Sequence, residues 1–335
     1  MTTPLVSILI PAYNAGTSIA ETIGSALAQT WARKEIIVVD DGSTDDTPAV
    51  ARAFASKEIS VVTQKNQGAA AARNKAFSVA QGDYIQWLDA DDLLSSDKVA
   101  SQMEARERGC TERTLLSCGW GDFIYRPRTA KFVPTPLWCD LTPTEWLMRK
   151  LALNLHMQTA TWLVSRTLTE AAGLWNTRLL GDDDGEYFCR VLRASDGVRF
   201  VPDARVFYRK SGFGRLSYIG ASDRKMDAQL ASMRLHIDYL LAFEDSRRTR
   251  AACVNYLQTW LPNFHPARPD IVTEAEKLAV SLGGELQSPR LSWKYEWIRW
   301  LFGWKAARTA EMELRRLKWN VLRAWDRGLL ILERA

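Results

Sequence analysis

The first ninety residues alternate between short apolar runs and longer stretches in which apolar residues recur at helical spacing. The apolar runs hold too few residues for a helix and stand at 6–10, 36–39, 59–62 and 84–88. The helical pattern between them covers 17–29, a segment from about Asp45, and 67–80. Runs that are apolar on both faces and alternate with helices predict a parallel sheet covered by helices on both sides.

The pattern after residue 110 is less regular. It predicts further strands over 113–125 and helices over 143–152 and 186–194. From 221 onward the spacing is helical, apart from a proline-rich stretch at 261–270 that reads as a linker. We therefore expect an α/β region followed by a helical C-terminal region.

Composition places the chain among ordinary globular proteins, with 47% hydrophobic and 25% charged residues. Its five cysteines are scattered without a C-x-x-C pair, which argues against a disulfide framework or a zinc site. The apolar run near the N-terminus breaks at Pro11, and no segment approaches the roughly 20 apolar residues of a membrane span. These features favour a cytoplasmic protein.

Three of the predicted strands run into polar sequences at their carboxyl ends, where ligands bind in open parallel sheets. The sequences are "PAYN", "DDGSTDD" and "DADD". No glycine-rich phosphate loop follows the first strand, and the acid-rich ends would repel a phosphate. A divalent cation resolves this conflict, so Asp89 and Asp91 are predicted to hold magnesium or manganese together with a substrate diphosphate. The plainer reading is a helix cap and a surface turn.

The ordered set of motifs resembles the family 2 glycosyltransferases, which have the GT-A fold, a Rossmann-like, mostly parallel sheet flanked by helices. The resemblance rests on "VSILIPAYN", "ETIGSALAQT", "EIIVVDDGSTDDT", "NQGAAAARNKA", "GDYIQWLDADD" and "GDDDGEYFCRVL". It covers about the first 210 residues. It implies a nucleotide-sugar-binding catalytic domain over 1–220 and a helical C-terminal region over 221–335.

The resemblance also implies roles for individual residues. Pro11, Ala12 and Tyr13 would line the nucleobase pocket, and Asp40 or, preferably, Asp41 would accept a hydrogen bond from the base. The remaining donor-site roles fall to Arg73 at the base or diphosphate, Asp89 at the ribose and the metal, and Asp91 as principal ligand of Mn²⁺ or Mg²⁺.

A second acidic motif, "GDDDGEYFCR", matches the family's catalytic segment through Asp183, Asp184, Glu186 and Arg190. Asp184 would be the general base that an inverting transfer requires, and the crowding aspartates should raise its pKa. A shift of one residue would give the role to Asp183. The alternative is an acidic helix start favoured by the helix dipole.

The sequence departs from the family pattern after this helix, where many relatives carry a histidine. The matching stretch is "YRKSGFGRLS", so Lys210, Ser211 or Arg215 would contact the diphosphate instead, and the third protein contact of the metal stays open. His156 is predicted to border the acceptor cleft.

Residues 291–335 hold ten basic and five acidic side chains, so this tail alone accounts for the net charge of +5. Four tryptophans form one helical stripe among the basic residues: Trp293, Trp297, Trp300 and Trp304. Tryptophan with basic residues is typical of helices that lie on anionic membranes. The tail is therefore predicted to anchor the protein peripherally on the inner face of the cell membrane. Internal packing and a homodimer interface are the alternatives, and nucleic-acid binding is not expected.

These observations predict an inverting glycosyltransferase that moves one sugar from a nucleotide-sugar, a UDP-sugar, to a hydroxyl of a cell-surface glycan or lipid-linked saccharide. No Q-x-x-R-W signature of processive synthases follows the predicted base. One rival is a nucleotidyltransferase, although "PAYNAGTSIA" lacks the basic residues of its activation loop. The other is a non-catalytic scaffold that binds sugar nucleotides.

Overall fold

The computed structural model describes residues 3–210, 222–289 and 291–334. The strands in this part of the chain are β1 (Val6–Ala12), β2 (Lys34–Asp40), β3 (Ile59–Thr63), β4 (Tyr84–Trp87), β5 (Leu93–Leu94), β6 (Thr114–Phe123), β7 (Lys131–Phe132), β8 (Val164–Ser165) and β9 (Gly197–Arg209). The first helices are α1 (Ile19–Leu27), α2 (Thr47–Arg52), α3 (Ala69–Val79), α4 (Lys98–Glu107), α5 (Pro143–Ala152), α6 (Arg166–Ala172) and α7 (Asp183–Ala194). The C-terminal helices are α8 (Asp223–Phe243), α9 (Arg247–Phe264), α10 (Pro269–Ser281) and α11 (Trp293–Arg334).

The main sheet has the order β3-β2-β1-β4-β8, with its first four strands parallel and β8 antiparallel to β4. All residues of β1 and β4 are buried, because helices cover both faces of the sheet. Ala12 pairs with Asp40, so the polar sequences after β1 and β2 leave the sheet side by side. The predicted parallel α/β sheet is confirmed.

A second sheet has the order β5-β9-β6-β7. Its long strands, β6 and β9, are parallel, and β5 pairs antiparallel with the far end of β9. β5 immediately follows the "DADD" sequence, so this pairing places those aspartates beside the end of β9.

The C-terminal helices share a hydrophobic core with the main sheet. One buried cluster contains Trp87 of β4, Tyr187 of α7, Leu240 of α8 and Tyr256 of α9. The predicted boundary at residue 220 therefore divides two parts of the chain that fold around common side chains.

The predicted linker at 261–270 is wrong over most of its length. Helix α9 continues through Pro262 to Phe264, and α10 already begins at Pro269. A proline inside a helix costs about 3 kcal/mol. Burial of Leu257, Leu261 and Phe264 on the inner face of α9 offsets that cost.

Helix α11 is interrupted at Gly303, whose φ of 79° and ψ of 172° are not helical. Glycine takes such a positive φ without the steric penalty of a side chain. The tryptophan stripe is therefore carried by two helical segments. Among the described residues, every helix is too short or too polar to cross a bilayer.

Candidate active site

The sequences after β1 and β2 form one connected rim. The backbone N–H of Asn14 donates to Ser43 Oγ at 2.9 Å, and Asn14 Oδ1 accepts from the backbone N–H of Thr44 at 2.8 Å. Pro11 and Ala12 are buried at the end of β1, whereas Tyr13 directly after them is 51% exposed. The ring of Tyr13 is therefore accessible to a planar ligand at this edge.

The neighbouring aspartates of β2 and its loop differ in what they already bind. Asp41 accepts hydrogen bonds from Gln64 Nε2 at 2.7 Å and from the backbone N–H groups of Gln67 and Gly68 at 2.9 and 2.8 Å. Asp40 accepts from the backbone N–H of Ser43 at 3.1 Å. A carboxylate has about four acceptor positions, so Asp40 keeps more capacity for a ligand than Asp41 does. Asp41 fixes the loop that leads into α3.

Arg73 connects the two acidic motifs. This buried side chain of α3 contacts Asp89 after β4 at 2.7 Å and Asp183 at the start of α7 at 2.9 Å. Its guanidinium also lies 4.3 Å from the ring centroid of Trp175. Burial opposes the charge of Arg73, but the carboxylates outweigh it and hold its pKa above the ordinary value. Residues far apart in the sequence therefore meet around one cation.

The three aspartates of "DADD" have different surroundings. Asp89 and Asp91 are half-buried at the rim, and the backbone carbonyl of Asp91 accepts from Arg209 Nε at 2.8 Å. Asp92 is fully buried and accepts from the backbone N–H of Arg209 at 2.9 Å and from Gln158 Nε2. Burial and the two neighbouring carboxylates raise the pKa of Asp92 well above its ordinary value. Asp92 thus links the rim to β9, while Asp89 and Asp91 remain half-buried at the rim.

The donor set suits a hard divalent cation shared with a ligand. No three His, Cys, Asp or Glu side chains within the described ranges converge on a complete metal site. Mg²⁺ and its analogues, however, are commonly bound by one or two carboxylates together with substrate phosphates. Arg73 donates a hydrogen bond to Oδ1 of Asp89, and the Asp89 side chain is 30% exposed. Asp89 and Asp91 therefore fit a cation that a diphosphate completes.

The acidic run 182–184 opens helix α7, and each of its carboxylates has a different partner. Asp182 accepts from Ser232 Oγ of α8 at 2.6 Å, and Asp183 pairs with Arg73. Asp184 accepts from its neighbour, the backbone N–H of Gly185, at 2.9 Å and from Thr159 Oγ1 at 3.4 Å. Neutral donors thus hold Asp182 and Asp184, whereas a cation holds Asp183.

The surroundings of Asp184 favour its protonated form. Burial is the largest cause, followed by the charges of Asp183 and Asp182, and together they raise its pKa to about 7. The predicted rise is therefore present, but burial contributes more than the crowding of like charges. A carboxylate with a pKa near neutrality can accept a proton during a reaction and release it afterwards.

Glu186 and Arg190, the other members of the second motif, bind each other within α7. Arg190 Nε and Nη2 donate to the Glu186 carboxylate at 2.7 and 2.9 Å, and the hydroxyl of Tyr239 in α8 donates to it at 2.8 Å. Glu186 is 2% exposed. This pair holds α7 in place and lies away from solvent.

The structure brings two of the remaining predicted residues into one neighbourhood. His156 packs against Trp120 of β6 with ring centroids 5.1 Å apart, and Trp120 also contacts Tyr208 of β9. Lys210 at the end of β9 pairs with Asp122 of β6. Burial and the nearby Lys150 lower the pKa of His156. Ser211 and Arg215 lie outside the described residues.

Sequence reasoning missed the contribution of α8. Gln229, Ser232, His236 and Tyr239 are polar, buried and spaced by three, four and three residues. A polar stripe inside a helix of the core is a recognisable signal, because such groups need partners. Its partners, the acidic residues of α7, lie about fifty positions earlier and could not be read from the pattern.

The fold and this rim define a GT-A protein. The structure of S. aureus TarS 1–349 in complex with UDP-GlcNAc matches with a TM-score of 0.68 at 17% identity, covering 83% of this chain and 81% of that one. Mannosyltransferase PcManGT from Pyrobaculum calidifontis, in complex with GDP-Man and Mn²⁺, matches with a TM-score of 0.55 at 19% identity over 97% of this chain and 88% of that one. The predicted GT-A fold with a C-terminal helical region is confirmed.

Residues 7–157, a little under half of the chain, match the model of Glycosyl transferase family 2. The uncharacterized glycosyltransferase EpsJ of Bacillus subtilis is 29% identical over 68% of this chain and 67% of its own length. The Escherichia coli protein WfaP, named UDP-Glc:alpha-D-GlcNAc-diphosphoundecaprenol beta-1,3-glucosyltransferase, is 42% identical over 34% of this chain and 44% of its own length. The chain thus spans about two thirds of the first relative and less than half of the second.

Proposed function

We propose that the protein transfers one sugar from a UDP-sugar to a hydroxyl group of a saccharide acceptor, with inversion at the anomeric carbon. The observation that carries the proposal is the position of Arg73 between Asp89 and Asp183. It brings the rim that suits a metal-bound diphosphate next to Asp184, the carboxylate with a pKa near neutrality.

The donor would lie across the rim of the main sheet. Its base would stack on the exposed ring of Tyr13 beside Pro11 and Ala12, and Asp40 or Asp41 would accept a hydrogen bond from it. The cationic side chain of Arg73 suits a diphosphate. A uracil nucleotide is supported by TarS and by the name of the E. coli relative.

Asp89 and Asp91 would hold Mn²⁺ or Mg²⁺. When bound, the cation would neutralise the charge that develops on the departing diphosphate. PcManGT, which holds Mn²⁺ in its structure, supports the choice of metal.

Asp184 would be the general base, with Asp183 beside it paired to Arg73. As the acceptor oxygen attacks the anomeric carbon, its proton passes to the Asp184 carboxylate. The bond from the anomeric carbon to the diphosphate oxygen breaks, and its electron pair leaves with the nucleotide. Asp184 releases the proton to solvent afterwards, which its raised pKa permits near neutral pH.

The acceptor would approach past His156 and Lys210. The ring of His156 rests on Trp120, and His156 lies in the loop that leads to Thr159, a hydrogen-bond donor to Asp184. Lys210 adds a positive charge that suits an anionic acceptor. The E. coli relative is named for a diphosphoundecaprenol-linked acceptor, so we propose a lipid-linked saccharide for this protein.

The tail would bring the protein to the membrane that carries such an acceptor. Trp293, Trp297 and Trp300 are 79%, 59% and 84% exposed. Trp304 instead packs against His265, with 5.0 Å between the two ring centroids. Exposed basic side chains accompany the three open tryptophans: Lys294, Arg299, Lys305, Arg315, Arg316, Lys318 and Arg327. Each contributes about 1 kcal/mol near an anionic surface. We propose peripheral binding to the cytoplasmic face of the cell membrane.

Release of UDP tests the activity. Full-length protein should release UDP from UDP-GlcNAc or UDP-glucose in the presence of Mn²⁺, and Asp184→Asn should lower the rate at least a hundredfold while the donor still binds. Asp91→Asn should remove the metal-dependent rise in melting temperature that the donor produces. Binding of donors without turnover in the wild type would instead identify a scaffold.

Vesicle flotation tests the membrane proposal. The triple variant Trp293→Ser, Trp297→Ser, Trp300→Ser should bind anionic vesicles at least tenfold more weakly than the wild type. Val133→Ser with Val280→Ser, which changes exposed apolar residues outside the tail, is the matched control. Equal binding by the triple variant and the control would show that the tail is not the anchor.

A further inference from the structure

Helix α8 presents a polar stripe to the start of α7. Gln229, Ser232, His236 and Tyr239 lie on one face of α8, since their spacing of three, four and three follows the helical turn. None of these side chains is more than 9% exposed. Buried polar groups are costly without partners. Gln229, Ser232 and Tyr239 find them in carboxylates at the start of α7, and His236 hydrogen-bonds with Tyr256 of α9.

Asp182 is the first of these partners and has an unusual backbone. Its φ of 55° lies in the left-handed region, which costs an ordinary residue about 1–2 kcal/mol. Ser232 Oγ donates to Asp182 Oδ2 at 2.6 Å, and Gln229 Nε2 donates to the same oxygen at 3.3 Å. A strained conformation persists where the surroundings fix it, and here two donors from α8 do so.

The carboxylate of Asp182 also lies against the first turn of α7. A Cβ atom at Gly185 would come within 2.0 Å of Asp182 Oδ1. The backbone carbonyl of Asp182 accepts from the N–H of Glu186 at 3.1 Å and so opens the helix. Glu186 is in turn held by Tyr239, seven residues after Ser232 on α8. Asp184 therefore lies between Asp182 and Glu186, both of which accept hydrogen bonds from side chains of α8.

We propose that Ser232 and Gln229 are positioning residues for the general base, because they hold Asp182 and thereby fix the first turn of α7 that carries Asp184. The inference rests on the proposed function in one respect, the role of Asp184. It assigns to the C-terminal helical region a part in the reaction, although neither residue touches the reacting atoms.

The position of Asp184 and the negative charge of Asp182 should affect different measurements. A displacement of about 1 Å can lower a rate a hundredfold, so the loss of an anchor should act on kcat. The charge of Asp182 acts on the titration of Asp184 together with the charges of Asp183 on α7, Arg73 on α3 and Asp89 after β4. His236 on α8 faces Asp182, with Nδ1 3.8 Å from its carboxylate. Burial keeps His236 neutral near pH 7 by lowering its pKa to about 4.

The first experiment compares Ser232→Ala with Ser117→Ala in the full chain. Both remove a fully buried hydroxyl, but Ser117 lies on β6 away from α7. With UDP-GlcNAc and Mn²⁺, Ser232→Ala should lower kcat at least tenfold and change the donor KM less than twofold. Equal kcat values for the two variants would overturn the proposal.

The second experiment uses Asp182→Asn. Asparagine tolerates a positive φ and can still accept from Ser232, but it removes one negative charge near Asp184. The acidic limb of the kcat/KM profile should move to lower pH, and the rate at the optimum should fall less than it does in Ser232→Ala. Two results would contradict the idea that Asp182 acts through its charge and Ser232 through position. One is an acidic limb of the kcat/KM profile that does not move, and the other is a rate at the pH optimum that falls as far as in Ser232→Ala.

The third experiment needs no substrate. Amide hydrogen exchange at residues 183–186 should be at least tenfold faster in Ser232→Ala than in Ser117→Ala, since the first turn of α7 loses its anchor. Equal exchange would overturn the proposal even if another donor is the substrate. A wild type that is inactive with UDP-sugars but shows the faster exchange in Ser232→Ala would refute the proposed donor and leave the positioning role standing.

Discussion

Replacing Asp184 by asparagine should stabilise the protein while it removes the activity. The pKa of Asp184 is raised from 3.8 to about 7 by burial and by the charges of Asp183 and Asp182. Between these two values the folded state holds a proton that the unfolded state has lost. Stability therefore falls as pH rises from about 4 to 7, and the ionised carboxylate is a cost above that range.

The size of the effect follows from the difference of about three pH units. Each unit corresponds to about 1.4 kcal/mol, which gives a cost of about 4 kcal/mol at most. Asp184 is half-buried and solvent screens part of its charge, so we expect a gain of about 2 kcal/mol for Asp184→Asn at pH 8. Asparagine has a similar shape and can still accept from Thr159 and Gly185.

Urea denaturation at about pH 4 and pH 8 measures the difference. The gain should be present at pH 8 and small at pH 4, where Asp184 is protonated in the folded protein. Asp203→Asn, which changes an exposed aspartate of β9, is the control and should show no such dependence. A variant that is less stable than the wild type at pH 8, or equally stabilised at both pH values, would refute the reasoning.

Two further predictions concern the same cluster. Arg73→Met should lower the free energy of unfolding by about 3–5 kcal/mol in urea denaturation, because Asp89 and Asp183 lose their shared partner. Arg224→Met, which changes an exposed arginine, should have little effect in the same measurement. The wild-type kcat/KM for UDP release should rise about tenfold per pH unit up to about pH 7 and then level off, and a flat profile from pH 5 to 8 would exclude Asp184 as the base.

The parts of the fold that the sequence predicted are those governed by local pattern. β1, β2, β3 and β4 stand where apolar runs too short for helices occur. β1 and β4 are buried throughout, whereas β3 at the sheet edge is only partly buried. Helix α5 was predicted over its full length, and in the structure Thr142 caps it and Pro143 stands at its start. The break at Gly303 and the helix that continues through Pro262 were not predicted, since tertiary packing decides whether such residues interrupt a helix.

The candidate site divides in the same way. The acidic motifs could be located from their place at strand ends and at a helix start, but their partners could not. Asp41 fixes the loop before α3, and Glu186 binds Arg190 and Tyr239, and both contacts depend on residues that the fold brings together. The nucleotide, metal and base roles of the predicted residues remain predictions that the experiments above address.

The run 182–184 shows why the helical C-terminal region matters for the chemistry. Three adjacent carboxylates would repel one another, yet each is held by a different element, α8, α3 or the turn that contains Thr159. The family match ends at residue 157, before this run begins, and the donors to Asp182 come from α8. The matched stretch therefore carries the proposed donor rim, and α8, beyond that stretch, helps to hold the turn that carries the proposed base.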